Sequence, residues 1–216
     1  MITPEKLDSL QRSWVQLLQP LNVDIEMAYK SFDELAQAYC QPHRSYHTLE
    51  HIGEMLKITG KLGRGLPHPI ELNLAVWYHD VVYDPHSKTN EEDSATVAEE
   101  QLALIGLEPH QRDIVKQLIL VTKHDAVHSS KLAESEVLLD SDLAILGASE
   151  QRYARYATDI RKEYAWVPEA EYRAGRKAVL EGFLKRPAIY RTAWLLAEGE
   201  ERARANMTAE LESFRA

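Results

Sequence analysis

Four short stretches of this 216-residue chain collect side chains that bind cations or move protons: Tyr46-His47-Thr48-Leu49-Glu50-His51, His79-Asp80, Thr122-Lys123-His124-Asp125 and Leu139-Asp140-Ser141-Asp142-Leu143. Imidazole nitrogens and carboxylate oxygens are ordinary ligands of divalent ions, and helical proteins build such sites from side chains that converge from separate helices. The second stretch carries the sharpest signal. His79 and Asp80 close a run, Leu72 to Asp84, with Leu72, Ala75 and Val76 on one helical face and Leu74, Trp77 and Val81 on the other. A helix apolar nearly all round is buried, and an ionised carboxylate in apolar surroundings is costly unless a cation compensates it. A bound metal ion is therefore the leading explanation of the pair.

Groups that handle protons and anionic oxygens stand near these stretches in the chain. On a helix, His51 would lie one turn after His47 and share its face, while His124 ends another helix beside Lys123. Either imidazole can protonate a leaving group or hold a phosphate. Asp84, Glu91 and Glu92 follow the His-Asp pair, and Glu91 or Asp84 is the candidate carboxylate for positioning water, although Glu91 and Glu92 also suit a helix's first turn. Arg44, Lys123 and Arg176 are the cations selected for contact with an anionic substrate.

The elements that must position these groups all read as helices. Thr3-Pro4 caps a first helix with the stripe Leu7, Leu10, Trp14, Leu17 and Leu18, and a second covers Val23 to Tyr39. Helices follow from about Tyr46 to Leu62, over Leu72 to the His-Asp pair, Glu91 to Ile105, Pro109 to about Lys123, Val137 to Leu146, Ser149 to Tyr164, Glu169 to Leu184 and Tyr190 to Phe214. No hairpin signal or sustained alternation interrupts them. About ten helices with short connections predict an all-α, single-domain orthogonal bundle over 1–216, with its metal-site core near 44–147 and the helices of 149–214 packed on it.

Composition narrows the partners. Hydrophobic residues make up 44% and charged residues 27%, which suits a globular protein, and the formal net charge of -9 argues against non-specific nucleic-acid binding. The single cysteine, Cys40, leaves neither a disulfide framework nor a thiolate zinc cluster. The amino terminus carries no signal-peptide pattern, and no run approaches the roughly 18 apolar residues of a membrane span, so the expected location is the cytoplasm with no membrane partner. Nothing in the sequence sets an oligomeric state.

The order of His47, the adjacent His79-Asp80 and a distant Asp after an apolar run resembles the HD-domain superfamily of metal-dependent phosphohydrolases. Within 47–147, Tyr46-His47-x-x-x-His51, Trp77-Tyr78-His79-Asp80-Val81-Val82-Tyr83-Asp84, Asn90-Glu91-Glu92 and Leu139-Asp140-Ser141-Asp142-Leu143-x-Ile145-Leu146-Gly147 look like a bacterial branch of predicted HD phosphohydrolases. The resemblance implies a metal set of His47, His79, Asp80 and Asp142. Asp142 is preferred to Asp140 because its place before Leu143, with Ser141 as the small residue, resembles the superfamily's small-residue-Asp-x-Leu pattern. It also implies one divalent ion, manganese, iron, nickel, zinc or magnesium, and hydrolysis of a small phosphorylated substrate, such as a nucleotide, by metal-activated water. Tyr83 stands where nucleotidase-like members carry an acid.

Three other readings use the same residues. A regulatory module would bind a nucleotide or metal without turnover. A di-iron HD-type oxygenase would recruit His51, His124 and His128 as extra ligands. His47-Thr48-Leu49-Glu50-His51 also fits the H-x-x-E-H pattern of inverted zinc metallopeptidases, with Glu50 as general base.

Overall fold

The computed structural model of the chain describes residues 2–123 and 130–214, and every regular element among them is helical. The all-α expectation is met. The residues group into two compact units, Met1–Leu138 and Leu139–Ala216, where the sequence predicts one domain, and the division falls inside a helix. No helix among the described residues is long and apolar enough to cross a membrane.

The first unit contains α1 (Pro4–Leu18), α2 (Ile25–Tyr39), α3 (Leu49–Leu62), α4 (Pro69–Tyr78), α5 (Asn90–Leu104), α6 (Pro109–Val121) and the start of α7 (Glu134–Leu143). Side-chain caps set several of the starts: Thr3 accepts from Lys6 N, Asp24 from Glu26 N and Met27 N, and Thr48 from Glu50 N. The core is organised on α4, where Leu72, Leu74, Ala75, Val76, Trp77 and Tyr78 are all buried. Trp77 meets Trp14 edge-on at 5.4 Å and Phe32 at 6.0 Å, while the Trp14 indole donates to Ala28 O and Ser31 Oγ. The Tyr39 hydroxyl donates to Trp77 O at 2.9 Å and so ties α2 to the last turn of α4.

Two boundaries differ from the sequence reading in ways that shape the site. Thr48 is extended (φ -124°, ψ 176°) and caps α3, so the helix begins at Leu49 and His47 lies in the turn leading into it. Its relation to His51 is therefore not that of two residues one helical turn apart. At the other boundary, α4 ends at Tyr78, although its apolar pattern runs on through Val81 and Val82. The carbonyls of Asp80 and Val81 accept hydrogen bonds from Arg44 at 2.7 and 2.9 Å. A buried guanidinium thus takes up carbonyls just past the helix end, where positive charge is favoured.

The second unit contains the rest of α7, a 3-10 turn over Ala144–Gly147, α8 (Glu150–Glu163), α9 (Glu169–Leu184), α10 (Ala193–Glu198) and α11 (Glu200–Ser213). The single final helix expected over Tyr190 to Phe214 is broken at Gly199. A Cβ on Gly147 would stand 2.7 Å from Gly199 O and 2.8 Å from the Tyr190 hydroxyl, and a Cβ on Gly199 would meet the Tyr190 ring at 3.0 Å. The missing side chains permit this close approach. Asn206 Nδ2 secures it by donating to Leu146 O and Ala148 O. Trp166 is half-exposed on this unit.

Candidate metal centre

The ends of α3 and α4 bring a set of donors together in the first unit. His79, buried, caps the end of α4, and its Nδ1 lies 2.9 Å from Val76 O. A carbonyl only accepts, so Nδ1 carries the proton and Nε2 is left to face outward from the helix. Asp80 Oδ2 is 3.0 Å from that Nε2 and 4.0 Å from Nε2 of the buried His51. The His51 and His79 rings are 5.4 Å apart, and ligand nitrogens of the two lie within 4.8 Å of each other. A neutral imidazole nitrogen and a carboxylate oxygen at 3.0 Å would oppose lone pair to lone pair, so a proton or a metal cation belongs between them.

His47 joins the cluster through aromatic contacts. Its ring lies 6.0 Å from that of His51 and stacks on Tyr83 at 4.2 Å. His43 stacks on Tyr83 from 6.3 Å and its Nε2 bonds Tyr83 O at 2.8 Å. Sequence reasoning passed over this part of Tyr83; the available signal was its position four residues after His79, in place of an acid.

The candidate acids separate clearly. Asp84 is a turn builder: Asp84 N donates to Asn90 Oδ1, and Asp84 Oδ1 accepts from His86 N. Glu91 is half-buried and feels the Asp80 charge. Burial raises its carboxyl above the ordinary range and Asp80 adds to the rise, while a backbone hydrogen bond and Lys123 pull it down. Glu91 therefore fits the assisting role better than Asp84. Lys123 pairs with Glu92 and donates to Lys88 O at 3.1 Å, which places a cation beside these acids. His124 and His128 lie outside the described residues.

The two other cations selected for substrate contact are occupied differently. Arg44 spends its guanidinium on backbone carbonyls, as above, and is buried. Arg176 is buried in the second unit, where it forms a two-pronged pair with Glu210 at 2.8 and 3.0 Å and donates to the Tyr156 hydroxyl. Both guanidiniums are buried and engaged by the chain's own groups. Glu50, the general base of the metallopeptidase pattern, pairs with Lys6 at 3.1 Å. With His47 outside α3, the two-histidine helical geometry of that pattern is not formed.

On α7 the two aspartates play different parts. Both oxygens of Asp140, a buried residue, accept from Arg191 N at 2.9 and 3.0 Å, and Oδ2 also accepts from Thr192 N and the Thr192 hydroxyl. Its carboxylate is consumed in holding the turn before α10. Asp142 lies one turn after the core residue Leu138 and about 200° around the helix from Asp140. Replacing Asp140 with Ala should lower stability by about 2–3 kcal/mol, the loss of charge-assisted bonds to buried donors, and leave metal content unchanged. Thermal denaturation with elemental analysis checks both.

No family model, curated protein or solved structure matches the chain.

Proposed function

We propose that this protein is a metal-dependent phosphohydrolase acting on a small phosphoester. The observation that carries the reading is the clustering of buried His79 and His51 around Asp80, with His79 Nδ1 anchored to Val76 O and its Nε2 directed at the carboxylate. Such a donor set fits a divalent ion: the tautomer is fixed by a backbone acceptor, and anionic and neutral ligands are mixed. The ion would be held by His47, His79 and Asp80, the members of the motif-implied set that lie in the first unit, with His51 as a further buried imidazole beside them. When bound, it supplies Lewis acidity toward a phosphoryl oxygen and acidifies a bound water.

The chain's own residues do the rest. Tyr83 fixes the plane of the His47 ring, and Val76 O fixes that of His79. Glu91, raised by burial, accepts the proton of the attacking water, and Lys123 balances the acids around it. The test is phosphate release from a panel of nucleotides and phosphomonoesters, with manganese, cobalt, nickel, zinc or magnesium restored to chelated protein. Release that depends on one of these metals is expected. Tight nucleotide binding with no release in any metal would instead assign the regulatory module, and oxygen consumption with two irons per chain would assign the oxygenase.

A further inference from the structure

Arg44 combines burial, charge and an unusual choice of partners. Nη1 donates to His47 O at 3.2 Å and Asp80 O at 2.7 Å, Nη2 to Val81 O at 2.9 Å, and Nε to Gln41 Oε1 at 3.3 Å. The guanidinium is flanked by the Tyr39 ring at 5.0 Å and the Tyr83 ring at 5.4 Å. Its partners belong to two segments 36 residues apart in sequence, and each segment carries residues of the proposed metal set.

We propose that Arg44 is a positioning residue that holds the His47 turn in register with the His79-Asp80 turn, and so sets metal affinity without touching substrate. The inference rests on the metal-centre reading above. Its logic is geometric. Asp80 and Val81 lie beyond the last residue of α4, and His47 lies before the first residue of α3, so no helical hydrogen bonding fixes either turn against the other. One planar group with several donors in a rigid fork reaches carbonyls on both sides. Lysine, whose three donors sit on one nitrogen, cannot reproduce the planar fork. The aromatic faces of Tyr39 and Tyr83 compensate the buried charge, and Tyr83 is also the plate against which His47 stacks.

The test uses metal-free full-length protein, wild type and the variants Arg44→Lys, Arg44→Gln and Arg44→Ala, titrated with Co²⁺ and followed by visible absorption and calorimetry. Far-UV circular dichroism confirms that each variant is helical, and Arg44→Lys serves if Arg44→Ala does not fold. The expected result is a Co²⁺ dissociation constant raised at least about tenfold in every folded variant, the scale at which groups supporting a metal ligand act. The cobalt absorption bands should shift, added guanidinium ion should restore part of the affinity of Arg44→Ala, and KM at saturating metal should stay unchanged. Unchanged Co²⁺ affinity with a raised KM would make Arg44 a substrate contact and overturn the proposal. A lowered melting temperature with unchanged affinity would overturn it in favour of a purely structural role. Wild-type protein that binds no Co²⁺ would overturn both this inference and the metal-centre reading, whereas equal binding by wild type and variants would overturn this inference alone.

Discussion

His79→Ala and Asp80→Ala are each expected to abolish metal retention and to reduce metal-dependent phosphate release by more than about 100-fold, since loss of a ligand exceeds the roughly 10–100-fold cost of losing a group that merely supports one. The helical content should survive. His79 is at the end of α4 rather than within it, and the burial of that helix is carried by Leu72, Leu74, Ala75, Val76, Trp77 and Tyr78. Asp80 contributes its side chain to the cluster, while its carbonyl, which bonds Arg44, is kept in the alanine variant. Elemental analysis and phosphate release on the same preparations check the prediction. Unchanged metal content in both variants would remove the proposed centre. Asp80→Asn refines the result, because it keeps the shape and removes the charge; a loss of metal as large as in Asp80→Ala would assign the effect to the anionic ligand.

The second large effect concerns stability. Arg176→Met should destabilise the second unit by about 3 kcal/mol, because it removes the buried cation that pairs with the largely shielded Glu210 carboxylate. For a chain of this size that corresponds to a fall in melting temperature of roughly 10 °C. The Tyr153 hydroxyl also donates to Glu210 at 2.6 Å, so the carboxylate keeps one neutral donor and loses the charged one. The double replacement Arg176→Met with Glu210→Leu should recover much of the loss, since a buried pair exchanged for apolar groups of similar volume is close to neutral. KM for the phosphorylated substrate should be the same in all three proteins. A raised KM with unchanged stability would return Arg176 to the substrate-binding role expected from the sequence.

The contrast between α9 and the metal centre shows what the sequence makes legible. The boundaries of α9 are those read from the chain, since Pro168 precedes its first turn and the pattern ends at a proline-bearing segment. The burial of α4 was equally plain, because apolar residues occupy all its faces. Its end was not: Val81, Val82 and Tyr83 continue the apolar pattern, and the group that takes the carbonyls past the helix is Arg44, far back in the chain. The same holds for the partners of the cations. An arginine that contacts phosphate, one that binds backbone carbonyls and one that pairs with a part-buried glutamate look alike in sequence. Asp140 and Asp142 are two residues apart, and the donors that claim Asp140 are supplied by Arg191 and Thr192, more than a dozen helical turns along the chain. The expected helix over Tyr190 to Phe214 runs straight through Gly199, because the neighbour that explains the break, Gly147, is distant in sequence.

The placement of the tryptophans gives the molecule its own optical labels. Trp14 and Trp77, in the first unit, are fully buried, whereas Trp166, in the second, is 52% exposed. Indoles shielded from water emit at shorter wavelength than hydrated ones, so the blue edge of the emission spectrum is weighted toward Trp14 and Trp77 and the red edge toward Trp166, with the part-buried Trp194 of the second unit between them. Trp77 is two residues before His79, and a paramagnetic ion seated there would quench the blue edge selectively. Loading of the centre could then be followed on the unmodified protein, with the red edge as internal reference.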